Sequence, residues 1–221
     1  SSDPRSKSQI DQFLKSRKKE WEKLSSREKK ALHDDWIWNP YDDTRIIYGD
    51  PKRAVKVAYV GIDIGTSELI LIDRFNEKRK TEKKPLIDLV IAHHPDGYAL
   101  GGLANVMDDI HVEVLRQAGV PVNISEKLLA NRIRDVGLSI HAANLERAST
   151  AAKMLDLPLM CTHTVSDNNA YQLIKHTVDT LKPYTLKDIV DGLMKLPVYK
   201  KAESIYHKVV EIYIGSPESR A

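Results

Sequence analysis

The chain has 221 residues, of which 42% are apolar and 29% are charged, a composition typical of a folded domain. No apolar run approaches the ~18 residues that a membrane span needs, and the polar, charged start does not resemble a signal peptide. The single cysteine, Cys161, excludes an intramolecular disulfide and a cysteine-based zinc site, and it favours a reducing compartment, the cytoplasm.

The net charge of +3 is concentrated in the first 31 residues, which carry ten basic and five acidic side chains, so the remainder is close to neutral. A nucleic-acid-binding protein usually spreads its basic residues over a structured face with interleaved aromatic residues. Because these basic residues lie on one segment, we favour a solvated helix face and expect no nucleic-acid partner.

Two helices are predicted in this basic segment, one beginning near Ser8 and one at the capping box Ser25-x-x-Glu28. Their narrow apolar stripe predicts that residues 1–34 pack outside the main sheet or on a neighbouring subunit. Turn-forming residues follow at 39–43 and 49–51. We therefore place a basic helical N-terminal arm at residues 1–50 and an α/β domain at residues 51–221.

Beyond the arm, predicted strands alternate with predicted helices. Apolar, β-branched runs predict buried strands at Val55–Asp63, Pro85–His93, Leu157–His163 and Val209–Gly215. Helices are predicted over Leu103–Ala118, Ile124–Asp156 and Ala170–Leu196. Residues 67–80 are ambiguous but end in a helix-like stretch. This alternation indicates an α/β fold in which a mostly parallel sheet has helices on both faces.

Polar residues follow three of these strands at their carboxyl ends, where ligands collect in open α/β sheets. They are Asp63 after the first strand, His93 and His94 after the second, and His163 and Asp167 after the third. Neutral imidazole combined with carboxylate suits zinc, iron or manganese better than calcium or magnesium. The pattern therefore favours a metal site, and the alternative is a set of loop histidines without a ligand.

The segments DLVIAHHPDG and MCTHTVSDN together resemble the NIF-three family of dinuclear-metal proteins, often labelled GTP cyclohydrolase type 2 homologues. That family carries a strand ending in His-His-Pro, then His-Thr-x-x-Asp, and a His-x-x-x-Glu pair near its C-terminus. The resemblance implies that His93, His94 and Asp167 are metal ligands and that His163 is a ligand or an orienting residue. It also implies an α/β fold with two linked lobes and a ring-like homo-hexamer.

Two features depart from the family pattern. A long helical insertion at residues 103–156 separates the two motifs, and no His-x-x-x-Glu occurs near the end of the chain. We therefore expect an α/β domain that is incomplete at its C-terminus and holds at most one tightly bound divalent ion, although the family holds two. If two ions are held, the first further ligands to test are His111, Glu113, His141 and Glu146.

The function expected from this resemblance is metal-dependent hydrolysis of a small molecule, nucleotide-like by the family label, with Asp96 as the nearby candidate for proton transfer. One alternative is a non-enzymatic oligomeric scaffold or regulator with a structural metal. A second is an actin-like ATPase lobe, because residues 61–67 resemble the first phosphate loop of those enzymes. Asp63 belongs to this segment, but in the metal interpretation it lies behind the ligands or at the rim of the site. Cys161 is interpreted as a residue of the packed core.

Overall fold

The computed structural model describes residues 2–141, 143–207 and 209–221. The chain divides into two compact units, residues 3–166 and residues 167–221. The division falls inside the first turn of one helix, α8, which begins at Thr164.

The sheet of the first unit contains four strands in the described part of the chain. They are β1 Thr44–Tyr48, β2 Ala58–Gly61, β3 Leu89–Ala92 and β4 Leu159–Thr162. Their spatial order is β1-β4-β3-β2. The β2–β3 and β3–β4 pairs are parallel, whereas β1 runs antiparallel to β4. The predicted α/β class with a mostly parallel sheet is therefore confirmed.

Helices connect the parallel strands. Helix α3 (Thr66–Thr81) links β2 to β3, and it resolves the ambiguity of residues 67–80 in favour of a helix. Between β3 and β4 the described residues form four helices: α4 Gly97–Gly101, α5 Leu103–Gln117, α6 Val122–His141 and α7 Arg147–Met154. Both connections are crossovers between parallel strands, so the carboxyl ends of β2, β3 and β4 lie at the same edge of the sheet.

The core lies where α3 and α7 pack on the middle of the sheet. The fully buried residues of this core include Leu69 of α3, Val90 of β3, and Leu159 and Cys161 of β4. Ala148 of α7 is fully buried in the same cluster. A small residue at position 148 lets α7 approach closely, since a larger side chain would overfill a packed interior. This core fixes the strand ends that carry the candidate site.

The arm is helical, as predicted. Helix α1 (Lys7–Lys23) begins two residues before the predicted position, because Ser6 and Gln9 form the capping box rather than Ser8 and Asp11. Helix α2 (Ser26–Leu32) begins at the predicted Ser25–Glu28 capping box, which is confirmed. A short 3-10 turn, Asp34–Ile37, then leads towards β1.

Two strand predictions differ from the structure. The segment predicted as a strand buried on both faces forms β2, an edge strand whose Val60 is 69% exposed, because no strand of the described chain lies beyond it. Residues 209–215 form no strand, and Tyr213 and Ile214 are exposed. The fourth strand is instead β1. The domain boundary at residue 50 stays a prediction, although β1 ties residues 44–48 into the sheet.

The second unit is helical in its described residues. It contains most of α8 (Thr164–Leu181), followed by α9 Leu186–Leu193 and α10 Pro197–Tyr206. Helix α9 packs closely on the end of α8, because a Cβ at Gly192 would lie 2.5 Å from the side chain of Leu181. The last residues return to the start of α9, where the Leu186 amide donates to the Ser219 carbonyl.

None of the helices in the described residues is both long enough and apolar enough to cross a membrane.

Candidate metal centre

Three imidazole rings converge at the carboxyl ends of β3 and β4. The ring centroids of His93 and His163 lie 5.1 Å apart, those of His93 and His94 5.2 Å, and those of His94 and His163 6.2 Å. Strand register explains the convergence. Ala92 pairs with Cys161 in the parallel β3–β4 ladder, so the residues that follow these two arrive side by side.

His93 is oriented by the neighbouring strand. Its Nδ1 lies 3.3 Å from the carbonyl oxygen of Thr162 at the end of β4. A carbonyl oxygen can only accept a hydrogen bond, so Nδ1 is the ring nitrogen that carries the hydrogen of this contact. A metal-ligating histidine is usually oriented in this way, by a hydrogen bond from one ring nitrogen to the protein.

His163 is oriented by a buried carboxylate. Its Nδ1 lies 2.9 Å from Oδ2 of Asp43, which is fully buried and also accepts a hydrogen bond of 2.6 Å from the Thr164 hydroxyl. The other carboxylate oxygen of Asp43 accepts from the hydroxyl of Thr44 at 3.3 Å. Because Thr44 pairs with Thr162 in the antiparallel β1–β4 ladder, Asp43 is placed opposite His163. Burial with these donors makes the carboxylate a rigid support.

Asp43 was missed by the sequence analysis, which interpreted residues 39–43 as turn chemistry at a boundary. No local pattern could have identified its partner, because the imidazole lies 120 residues away in the chain. An unexplained acid directly before a short β-branched run, such as TRIIY, was the available signal.

Asp167 lies in the first turn of α8, four residues after His163. Ligand atoms of His93, His163 and Asp167 all lie within 4.8 Å of one another, so the three could hold one ion. Among the described residues, these three form the group of histidine, cysteine and acidic side chains that is spaced closely enough to hold a metal ion. The sequence analysis expected His93, His94 and Asp167 as the ligands, with His163 as a ligand or an orienting residue. In the structure it is His163 that completes the group with His93 and Asp167.

His94 lies beside this group rather than inside it. Its Nδ1 is 2.6 Å from Oδ1 of Asp63, which the β2–β3 register places directly opposite. Both side chains are more than half exposed. Asp63 thus lies behind a predicted ligand, in the position that the metal interpretation expected.

Asp96 lines a cleft of about 500 Å³ next to His94, together with Thr66 and Arg147. Its Oδ1 is buried and has no hydrogen-bond partner among the described residues. Burial raises the pKa of the Asp96 carboxyl above its usual value, and backbone hydrogen bonds from Ser149 and Gly97 oppose the rise. A carboxyl with a raised pKa at a cleft wall is suited to proton transfer.

The other candidate residues lie in surroundings that favour a structural role. Glu113 accepts hydrogen bonds from Arg116, Gln117 and Gln9, which lower the pKa of its carboxyl to about 2 against the opposing effect of burial. Burial raises the pKa of the Cys161 thiol to about 12, which makes this thiol an unreactive core group. His111, His141 and Glu146 are not part of the group that could hold a metal ion.

The donors at the centre fit a divalent transition metal. Two imidazoles and one carboxylate form a three-ligand set of the kind that catalytic zinc sites use with one position open. Nitrogen and carboxylate donors together suit zinc, iron or manganese. The carbonyl of Thr162 and the carboxylate of Asp43 hold the rings of His93 and His163 in a fixed orientation, as such ligands need.

Comparison with known proteins supports the same architecture. No protein-family model matches the chain, and no curated protein matches it. The chain is similar to the crystal structure of a NIF3 superfamily protein from Sphaerobacter thermophilus, with a TM-score of 0.65 and 24% identity over 81% of this chain and 61% of that one. The chain thus spans about three fifths of the length of that protein. The fold is accordingly NIF3-like, as the two strand-end motifs predicted.

Proposed function

We propose that this protein binds a divalent transition metal through His93, His163 and Asp167 and hydrolyses a small polar substrate. The observation that carries the proposal is the spacing of the three ligand atoms within 4.8 Å, since two of the ligands also have their second ring nitrogen held by the protein. Ordinary loop histidines have no need of such orientation. His94 is the fourth candidate ligand, at the side where the substrate cleft opens.

A divalent ion held by His93, His163 and Asp167 would lower the pKa of a bound water towards neutrality and would polarise a substrate oxygen. The residues of the chain supply the rest of the chemistry. Asp96 faces the cleft and is the candidate for moving a proton to or from the substrate. Arg147 lies at the same cleft and provides a positive charge for an anionic group of the substrate. The nucleotide-like class suggested by the family label is compatible with that charge.

The proposal is tested first by the metal content of the purified protein and its hydrolysis of phosphoesters and nucleotides. Replacing His93→Ala or His163→Ala should lower metal occupancy at least about tenfold and abolish hydrolysis, because three ligands cannot be reduced to two without a large loss of affinity. His176→Ala on α8 is the matched control, because its side chain is exposed. Wild-type metal content in both active-site variants would refute the site.

The alternatives make different predictions in the same experiment. Stoichiometric metal without hydrolysis of any substrate in the panel favours the scaffold or regulator. Magnesium-dependent ATP binding favours the actin-like lobe. In that fold the phosphate loop joins two strands, whereas here residues 62–65 connect β2 to α3.

A cytoplasmic location and a ring-like homo-oligomer belong to the same proposal. The location is supported by the single cysteine, which is buried and free. The oligomer is supported by the resemblance of the two motifs, and light scattering of the purified protein measures it directly.

A further inference from the structure

Arg17, in the middle of α1, is a buried cation held by several acceptors. It is 8% exposed and forms two hydrogen bonds of 2.8 Å to the two carboxylate oxygens of Asp42. The same guanidinium donates to the backbone carbonyls of Trp36 and Asn39, at 3.3 and 3.2 Å. Its position is therefore fixed in several directions at once.

Two aromatic rings also pack against the guanidinium. Its central carbon lies 4.3 Å from the ring centroid of Phe13 and 4.9 Å from that of Trp36. A planar, forked cation matches this combination of two carboxylate oxygens and two ring faces, whereas the compact ammonium of lysine does not. A Lys replacement at this position preserves charge but loses the geometry.

The partner of Arg17 directly precedes the residue that orients His163. Asp42 and Asp43 are consecutive, and Asp42 binds Arg17 of α1 while Asp43 binds His163 and Thr164. The turn is confined from another side by the start of α5, because a Cβ at Gly102, the residue before that helix, would lie 2.4 Å from the Cβ of Asp42. A turn held between α1 and α5 presents Asp43 in one orientation.

We propose that Arg17 is a positioning residue of the metal centre, acting through Asp42 and Asp43 on the ring of His163. The inference rests on the proposed metal-binding function. It gives helix α1 a part in orienting the site, whereas the sequence analysis favoured a solvated helix face. When the two hydrogen bonds between Arg17 and Asp42, here called the Arg17 fork, are lost, the turn at residues 39–43 is freed and Asp43 shifts. The His163 ring then loses its fixed tautomer and direction.

The arm offers a matched control, because it has a second attachment that does not touch the turn. Gln9 of α1 donates to Glu113 of α5 at 3.1 Å, and Glu113 also accepts from Arg116. Replacing Glu113→Gln weakens this attachment while residues 39–43 keep their contacts. Arg17→Lys and Asp42→Asn instead break the fork from either side, so each checks the other if one variant folds poorly.

The first readout needs no metal. In metal-free protein labelled with ¹⁵N-histidine, the nitrogen shifts of His163 report which ring nitrogen carries the hydrogen. We expect Arg17→Lys and Asp42→Asn to move these shifts towards a mixture of tautomers, while Glu113→Gln leaves them unchanged. Unchanged His163 shifts in both fork variants would overturn the inference, whether or not the protein binds metal.

The second readout is zinc affinity, measured by competition with a chelating dye. We expect the two fork variants to bind zinc about 10-fold more weakly, within the 10–100-fold range known for residues that support metal ligands, and Glu113→Gln to stay near wild type. Equal losses in all three variants would reduce Arg17 to a structural role and overturn the inference. Failure of wild-type protein to bind zinc, iron or manganese would refute the proposed function instead, and the His163 shifts would still decide the coupling.

Discussion

Two histidines of this centre are supported by carboxylates, but on the two sides of the site the supports differ in burial. The pair formed by His163 and Asp43 has side-chain exposures of 22% and 0%, and the pair formed by His94 and Asp63 has exposures of 52% and 81%. Water competes with the second contact and screens it, whereas the first is enclosed and shared with two threonine hydroxyls. A similar contact therefore fixes one ring rigidly and leaves the other adjustable.

This difference suggests a division of tasks within the site. The rigid side is suited to hold the ion, because a ligand with a fixed direction needs little reorganisation on binding. The adjustable side borders the cleft of about 500 Å³, which the proposed function assigns to the substrate, and a ligand that can reorient suits that side. Three experiments test this comparison of buried and exposed carboxylates, beginning with the largest expected effect.

Replacing the buried carboxylate, Asp43→Asn, should weaken metal binding by about 10–100-fold. It should also lower the free energy of unfolding of the metal-free protein by about 1–3 kcal/mol, since an amide cannot accept from all the donors that now face Asp43. Chelator competition and urea unfolding measure the two effects. Unchanged values for both would show that burial of this carboxylate has no consequence for the centre.

Glu113 tests whether burial of a carboxylate matters away from the centre. Hydrogen bonds from Arg116, Gln117 and Gln9 lower the pKa of its carboxyl to about 2 from the usual 4.5. The contribution of the Glu113 carboxylate to the free energy of unfolding is therefore complete above pH ~4.5 and is lost as the pH falls towards 2. The loss is about 1–3 kcal/mol of unfolding free energy. In metal-free protein, Glu113→Gln should flatten the fall of unfolding free energy across this range. The exposed Glu126→Gln is the control and should keep the wild-type slope.

The exposed support should give the smallest effect. Asp63→Asn is expected to change the free energy of unfolding by less than about 0.5 kcal/mol and the metal affinity by less than about threefold, because an exposed ion pair contributes little. The same two measurements apply as for Asp43. A loss as large as that of Asp43→Asn would contradict the comparison between the two sides.

Local pattern predicted the centre of the sheet and the ends that carry the histidines. The apolar runs of β3 and β4 lie between turn residues, and the motifs after them placed His93, His163 and Asp167 at one edge. Strand β1 escaped prediction because it is short, lies next to a turn and has an arginine at its second position. Its identity as a strand depends on pairing with β4, which no local window contains.

Burial was harder to predict than strand position, for the same reason. The run at β2 has the composition of a central strand, yet its place in the order β1-β4-β3-β2 puts it at an edge. The run at residues 209–215 has similar composition and finds no strand partner in the described chain. Likewise, the supports of the two histidines differ only in what covers them, and that is a property of the assembled fold.

The 120-residue separation between Asp43 and His163 also bears on how the protein folds. A contact this distant requires closure of a long loop, which is slow to form and is rewarded only after β4 has joined both β3 and β1. We therefore expect the centre to form after the folding transition state. Metal added during refolding should then leave the folding rate nearly unchanged and should slow unfolding instead, so that the ion acts chiefly on the lifetime of the native state.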